Sequence, residues 1–172
     1  MKKLISILIT LFVMIISAKA VLADSNVVSS SATIKNVGEE KTDYRTETLK
    51  KFFNQYDSVL APYAGDFVKY ADENGLDWRL LPAISGVEST FGKQMISGTY
   101  NAYGWAGGLY RFASWEDSIA VISKSLKEDY LEKGAPSFSQ VARRYCPPST
   151  TWKYKVEYFM VRIDPVPLDF TL

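Results

Sequence analysis

The chain has 172 residues, 47% of them hydrophobic and 14% aromatic, enough apolar material for one folded domain plus additional segments. It contains no histidine and a single cysteine, Cys146, which excludes Ser-His and Cys-His nucleophile pairs, cysteine-rich or histidine-ligated metal sites, and any intrachain disulfide. The formal charge is +1. It turns slightly negative once Lys2, Lys3 and Lys19 of the leader described next are removed, which argues against a nucleic-acid partner.

Lys2 and Lys3, an apolar run from Leu4 to Ile16 and the small residues after it form a secretory signal. Cleavage fits after Ala20 or after Ala23. An uncleaved anchor is the alternative, because the run is nearly long enough to span a bilayer when tilted. The domain plan is a signal peptide over 1–23, a flexible lead rich in Ser, Val, Lys and Glu over 24–43, and a folded domain over 44–172. Export places the folded part outside the cytoplasm, with membrane contact only through the signal segment.

From Glu47, residues Leu49, Phe52, Phe53, Tyr56 and Leu60 recur at helical spacing until Pro62. A second helix turns Phe67, Val68 and Ala71 inward and stops at Asn74-Gly75. Asp77 then caps the most apolar helix, Leu80 to about Ser89, with Pro82 either at its start or kinking its first turn. Leu80, Leu81, Ile84 and Val87 make a buried stripe, and Glu88 lies on or beside it, close to the helix end. A carboxylate there must be paired, hydrogen-bonded or protonated. Protonation would leave an acid able to give up a proton near neutral pH.

Gly92 to Ala113 is long, without regular periodicity, and places glycines among Tyr100, Tyr103, Trp105, Tyr110 and Phe112. Aromatic faces beside open backbone suit sugar rings, although about half of these rings are expected to pack beneath the loop. Short strand pairs fit here, but no alternation is long enough to define one. Ser114 and Asp117 form the cap of the next helix. Its inner face is Trp115, Ile119, Ile122, Leu126 and Tyr130, and it runs to Gly134. Glu116 and Asp117 read better as first-turn charges than as a second catalytic acid. Ser137 and Gln140 make a capping box for a short helix through Tyr145, which Cys146-Pro147-Pro148 ends. A last helix carries Trp152, Val156, Phe159 and Met160 as far as Pro165.

One acid at a helix end, facing an aromatic, glycine-rich loop, points to glycoside cleavage. The run Ala83 to Gly92, AISGVESTFG, resembles the catalytic-glutamate segment of the lysozyme-like superfamily, namely lytic transglycosylases and the related bacterial glucosaminidases. Tyr100 to Gly108 (YNAYGWAGG) is similar to the Asn-Ala-aromatic-Gly segment of the glucosaminidase-like branch. Phe112 to Ile119 resembles the helix start that follows it, and Val141 to Val156 the C-terminal segment whose tyrosine reaches into the groove.

The resemblance implies a mainly α, lysozyme-like helical domain whose long loop, with room for a short β-hairpin, lines a groove. It implies Glu88 as general acid and Tyr145 as the tyrosine hydrogen-bonding near the reacting sugar. Ser89 would orient the glutamate or the substrate, Tyr100, Asn101 and Tyr103 would line the groove, and Trp105 would be a stacking platform. No metal and no cofactor enter; the partner is peptidoglycan or a related N-acetylated glycan. Where such transglycosylases carry Gly-Leu-Met-Gln after the glutamate region, this chain has Gly104-Trp105-Ala106-Gly107. No second carboxylate stands out, so two routes stay open: closure by the substrate's own groups to an anhydro-sugar, or hydrolysis by positioned water. A non-catalytic glycan-binding domain on the same fold is the competing function.

Overall fold

Six α-helices and no strand form among the described residues, 43–134 and 137–166 of a computed structural model. The signal segment and the lead through residue 42 lie outside them. The mainly helical class is that of a lysozyme-like helical domain. The short hairpin is absent among the described residues. Tyr100, Gly104, Ala106, Gly107 and Gly108 all have positive φ, which breaks any extended run. A backbone bond from the Phe112 N–H to the Thr99 carbonyl (2.9 Å) joins the two sides of the loop, with side-chain bonds from Asn101 to the Tyr110 carbonyl and from Arg111 to the Gly98 carbonyl beside it.

Helix α1 (Tyr44–Gln55) begins ahead of the expected Glu47, because the Asp43 carboxylate accepts from the Arg45 N–H at 2.9 Å and caps it. Arg45 also reaches Asp72 at 2.7 Å, joining this cap to helix α2 (Ala64–Asn74). Pro62 lies in a separate 3₁₀ turn, Ala61–Tyr63. Gly75, at φ 64°, ends α2 with the left-handed residue expected there.

Helix α3 (Leu80–Ser89) occupies the interior. Every residue from Leu80 to Gly86 is buried, so it is buried all round rather than along a stripe. Pro82 falls in its first turn, where the missing N–H has no helical partner to lose. Asp77 acts just outside the helix: it accepts from the Arg79 N–H (2.9 Å) and pairs with the Arg79 guanidinium (2.5 Å). Arg79, itself buried, donates to the Asp164 and Val166 carbonyls, fastening the end of helix α6 (Trp152–Ile163) beside the start of α3. Helix α6 is the main wall against α3, while helix α4 (Trp115–Ser125) packs on α2 and helix α5 (Phe138–Tyr145) on α6. The capping box of Ser137 and Gln140 opens α5 as expected. A π-type turn, Leu126–Leu131, continues α4.

The end of α3 is the sharpest feature of the backbone. Thr90 and Phe91, neither a glycine, both take positive φ (52° and 58°), each at a cost of about 1–2 kcal/mol. Phe91 offsets this by burying its ring completely against Phe52, Phe53, Tyr56 and Phe159. Gly86 makes the room: a Cβ there would fall 2.5 Å from the Phe91 ring. The GVESTF run is therefore a packed reversal. It folds Phe91 back under the helix and leaves Glu88 where the helix emerges.

Candidate active site

Glu88, half-buried on the last turn of α3, faces a cleft of about 470 Å³ lined by Ser89, Gln94, Met95, Ile96, Asn101, Gly104, Gly107 and Gly108. A second depression of about 460 Å³ is lined by Gly104, Trp105, Ala106, Gly107, Tyr130 and Tyr145. Gly104 and Gly107 line both, so the two depressions adjoin at the glycine-rich loop and are together called the groove. Where they adjoin, Gly104 and Gly107 present backbone without side chains. That is the surface a polymer of rings can approach closely.

Burial holds the Glu88 carboxyl above the ordinary glutamate range, because the charged form loses its water. One donor opposes this: the Trp152 indole N–H points at Glu88 Oε1 from 2.6 Å. Among the described residues Glu88 is the sole carboxylate lining the groove. Glu116 accepts from the Tyr70 hydroxyl and Asp117 from the Ala113 N–H at the start of α4, both away from the groove lining.

Tyr145, at the end of α5, lines the groove, and its hydroxyl donates to the Tyr103 carbonyl at 2.6 Å. Its proton thus goes to the loop backbone, leaving the oxygen lone pairs as what it can offer a sugar hydroxyl. Its ring stacks on the Trp152 indole (5.0 Å, 22°). Tyr130, from the π-type turn, lies 6.0 Å beyond on the same wall.

The remaining expected contacts divide. Trp105 is half-buried on the groove wall, where a ring can stack. Asn101 borders the cleft, but its side chain is engaged by the loop: it donates to the Trp105 and Tyr110 carbonyls and accepts from the Trp105 N–H. Ser89 is buried, with its Oγ 2.8 Å from the Ala102 carbonyl, 3.0 Å from the Ser85 carbonyl and accepting from the Gly92 N–H. The hydroxyl is consumed by the turn rather than offered to substrate. Tyr103 is not a groove residue: its ring is fully buried, with its hydroxyl facing Ser118. Tyr100 packs edge-on against Trp115 at 5.4 Å and does not line the groove. Tyr103 and, in part, Tyr100 are the rings that turn inward, Tyr103 into the core and Tyr100 onto Trp115.

Periodicity places Trp152 in the core but gives no sign of its polar partner, Glu88. The signal is that a buried indole N–H needs an acceptor, and that Trp152 lies in the same segment, Val141 to Val156, as Tyr145. Among the described residues no cluster of three or more His, Cys, Asp or Glu could hold a metal ion, and no helix is long and apolar enough to cross a membrane.

No family model matches the chain. It is 29% identical over 107 residues to a protein described as membrane-bound lytic murein transglycosylase F, from Marinobacter nauticus. That similarity covers 60% of this chain and 20% of the relative, so the chain spans about a fifth of the relative's length.

Proposed function

We propose that this chain is an exported glycosidase that cleaves the glycan strand of peptidoglycan, with Glu88 as its general acid. The observation that carries the reading is the Glu88 carboxyl itself: half-buried, shifted toward its protonated form by burial, and set on an open glycine-floored groove. The likeness to a murein transglycosylase supports the same substrate class.

In the step, Glu88 gives its proton to the glycosidic oxygen as the C1–O bond breaks, and positive charge develops at C1. With no second carboxylate on the groove among the described residues, we favour closure by the substrate over attack by water. A hydroxyl of the same sugar forms the new bond to C1 and returns its proton to the Glu88 carboxylate, leaving an anhydro-sugar and a regenerated acid. Tyr145 accepts a hydrogen bond from the sugar at the groove wall, and Trp105 stacks on a neighbouring ring.

Digestion of purified peptidoglycan by the wild type and by Glu88→Gln, read by mass spectrometry, tests this. Anhydro-ended fragments from the wild type alone are expected. Reducing ends would replace closure with hydrolysis. A folded wild type that binds the wall and releases nothing would leave a glycan-binding domain.

A further inference from the structure

Glu88 has two oxygens in different surroundings, and an acid can hold its proton on only one of them. Oε1 receives the Trp152 indole N–H at 2.6 Å. A proton on that oxygen directed along the same line would meet the indole hydrogen head-on, since the indole nitrogen is a donor only. Oε2 faces Gly104 so closely that a Cβ at that position would come within 2.8 Å of it. Gly104, at φ 67°, lines both halves of the groove. One oxygen is therefore tied to the interior, and the other opens on the glycine floor.

We propose that Trp152 is the positioning residue of the site: its indole N–H reserves Oε1 as an acceptor and confines the transferable proton of Glu88 to Oε2, over Gly104. This rests on Glu88 being the acid. The indole is well placed to act so. It is buried, stacked on Tyr145, flanked by Phe138 at 6.0 Å, and anchored where α6 begins by its backbone N–H on Ser149 Oγ. Once Oε2 has given its proton away, the carboxylate spreads its charge onto Oε1, and the indole bond becomes charge-assisted. The interaction is thus stronger after proton transfer than before, which is the condition for it to accelerate the step. It also offsets part of the burial that would otherwise make Glu88 too weak an acid.

The test follows the proton by NMR in the full folded domain. The Glu88 carboxyl carbon and the Trp152 indole N–H of the wild type should titrate together, and the indole should become insensitive to pH in Glu88→Gln. Tyr145 is the titratable neighbour facing Glu88 from α5, and burial holds its phenol well above the ordinary range, so it stays neutral throughout. In Trp152→Phe, which keeps a ring against Tyr145, the Glu88 titration should move upward. On peptidoglycan that variant should lose about ten- to hundredfold in kcat, the range of a hydrogen bond to a charged group. The alkaline limb of its pH profile should move up, with KM little changed. A merely structural tryptophan would lower the active fraction and leave that limb where it was.

An indole signal in the wild type that ignores the Glu88 titration overturns the proposal, whatever becomes of the variant. Coupled titrations in a protein that cuts no glycan would instead remove the enzymatic reading and leave the hydrogen-bond assignment standing.

Discussion

Ser89→Ala separates two roles for the residue beside the acid. Resemblance gives Ser89 to the glutamate or the substrate, but in the structure its hydroxyl is inside the turn that ends α3. Removing it strips the buried Gly92 N–H of its acceptor and the Ala102 carbonyl of its donor. An unpaired buried polar group costs about 1–3 kcal/mol, and partial relaxation of the loop makes about 2 kcal/mol a fair figure for the pair. For a domain of this size that corresponds to a melting temperature lower by about 8 °C. Urea unfolding should show a lower midpoint with an unchanged slope. Below the melting range, the affinity of the folded variant for muropeptide chains should match the wild type. An unchanged melting temperature with weakened glycan binding would refute the reasoning and return Ser89 to the substrate.

Gly104→Ala and Gly107→Ala form a second pair. Both positions have φ near 68°, so each alanine carries the same backbone cost of about 1–2 kcal/mol. Only at 104 does the new Cβ press on Glu88 Oε2, whereas at 107 nothing lies within 4 Å. Equal melting temperatures with a further loss of at least tenfold in kcat for Gly104→Ala are expected, read by calorimetry and muropeptide release. The raised Glu88 pKa also makes a stability prediction with a definite sign. Between the ordinary glutamate value and the higher folded one, the native state binds more protons than the unfolded chain, so stability falls as pH rises through that window and levels off above it. Glu88→Gln lacks this contribution, so the stability difference between wild type and variant should fall across the same window, while Asp66, also raised by burial, titrates in both. A pH series of urea melts in which both proteins run parallel would show that burial does not tune this carboxyl.

Much of the architecture is local and was legible from residue order. Gly75 ends α2 because only a residue without a Cβ takes its left-handed conformation cheaply, and the Ser137–Gln140 capping box marks its helix wherever that helix packs. The position of Glu88 near a helix end follows from the apolar stripe that leads up to it and the Ser89-Thr90-Phe91-Gly92 run that stops the helix after it. The loop was less readable, since alternation and turn chemistry do not say which rings go under. Asn101 ties the loop to itself through four backbone groups, the Tyr103 and Trp105 N–H and the Trp105 and Tyr110 carbonyls, a tertiary arrangement that no local pattern announces.

The sequence by itself determined that any chemistry must run without histidine or a disulfide, that the domain is helical, and that one glutamate ends its most apolar helix. Only the tertiary structure decided what surrounds that glutamate. The Trp152 N–H arrives 64 residues further along the chain, the open backbone of Gly104 lies across a loop, and Tyr145 gives its proton to the Tyr103 carbonyl. Periodicity reports which face of an element is buried. It carries no information on which distant donor meets which oxygen, because that contact is fixed by how α3, α5 and α6 pack together.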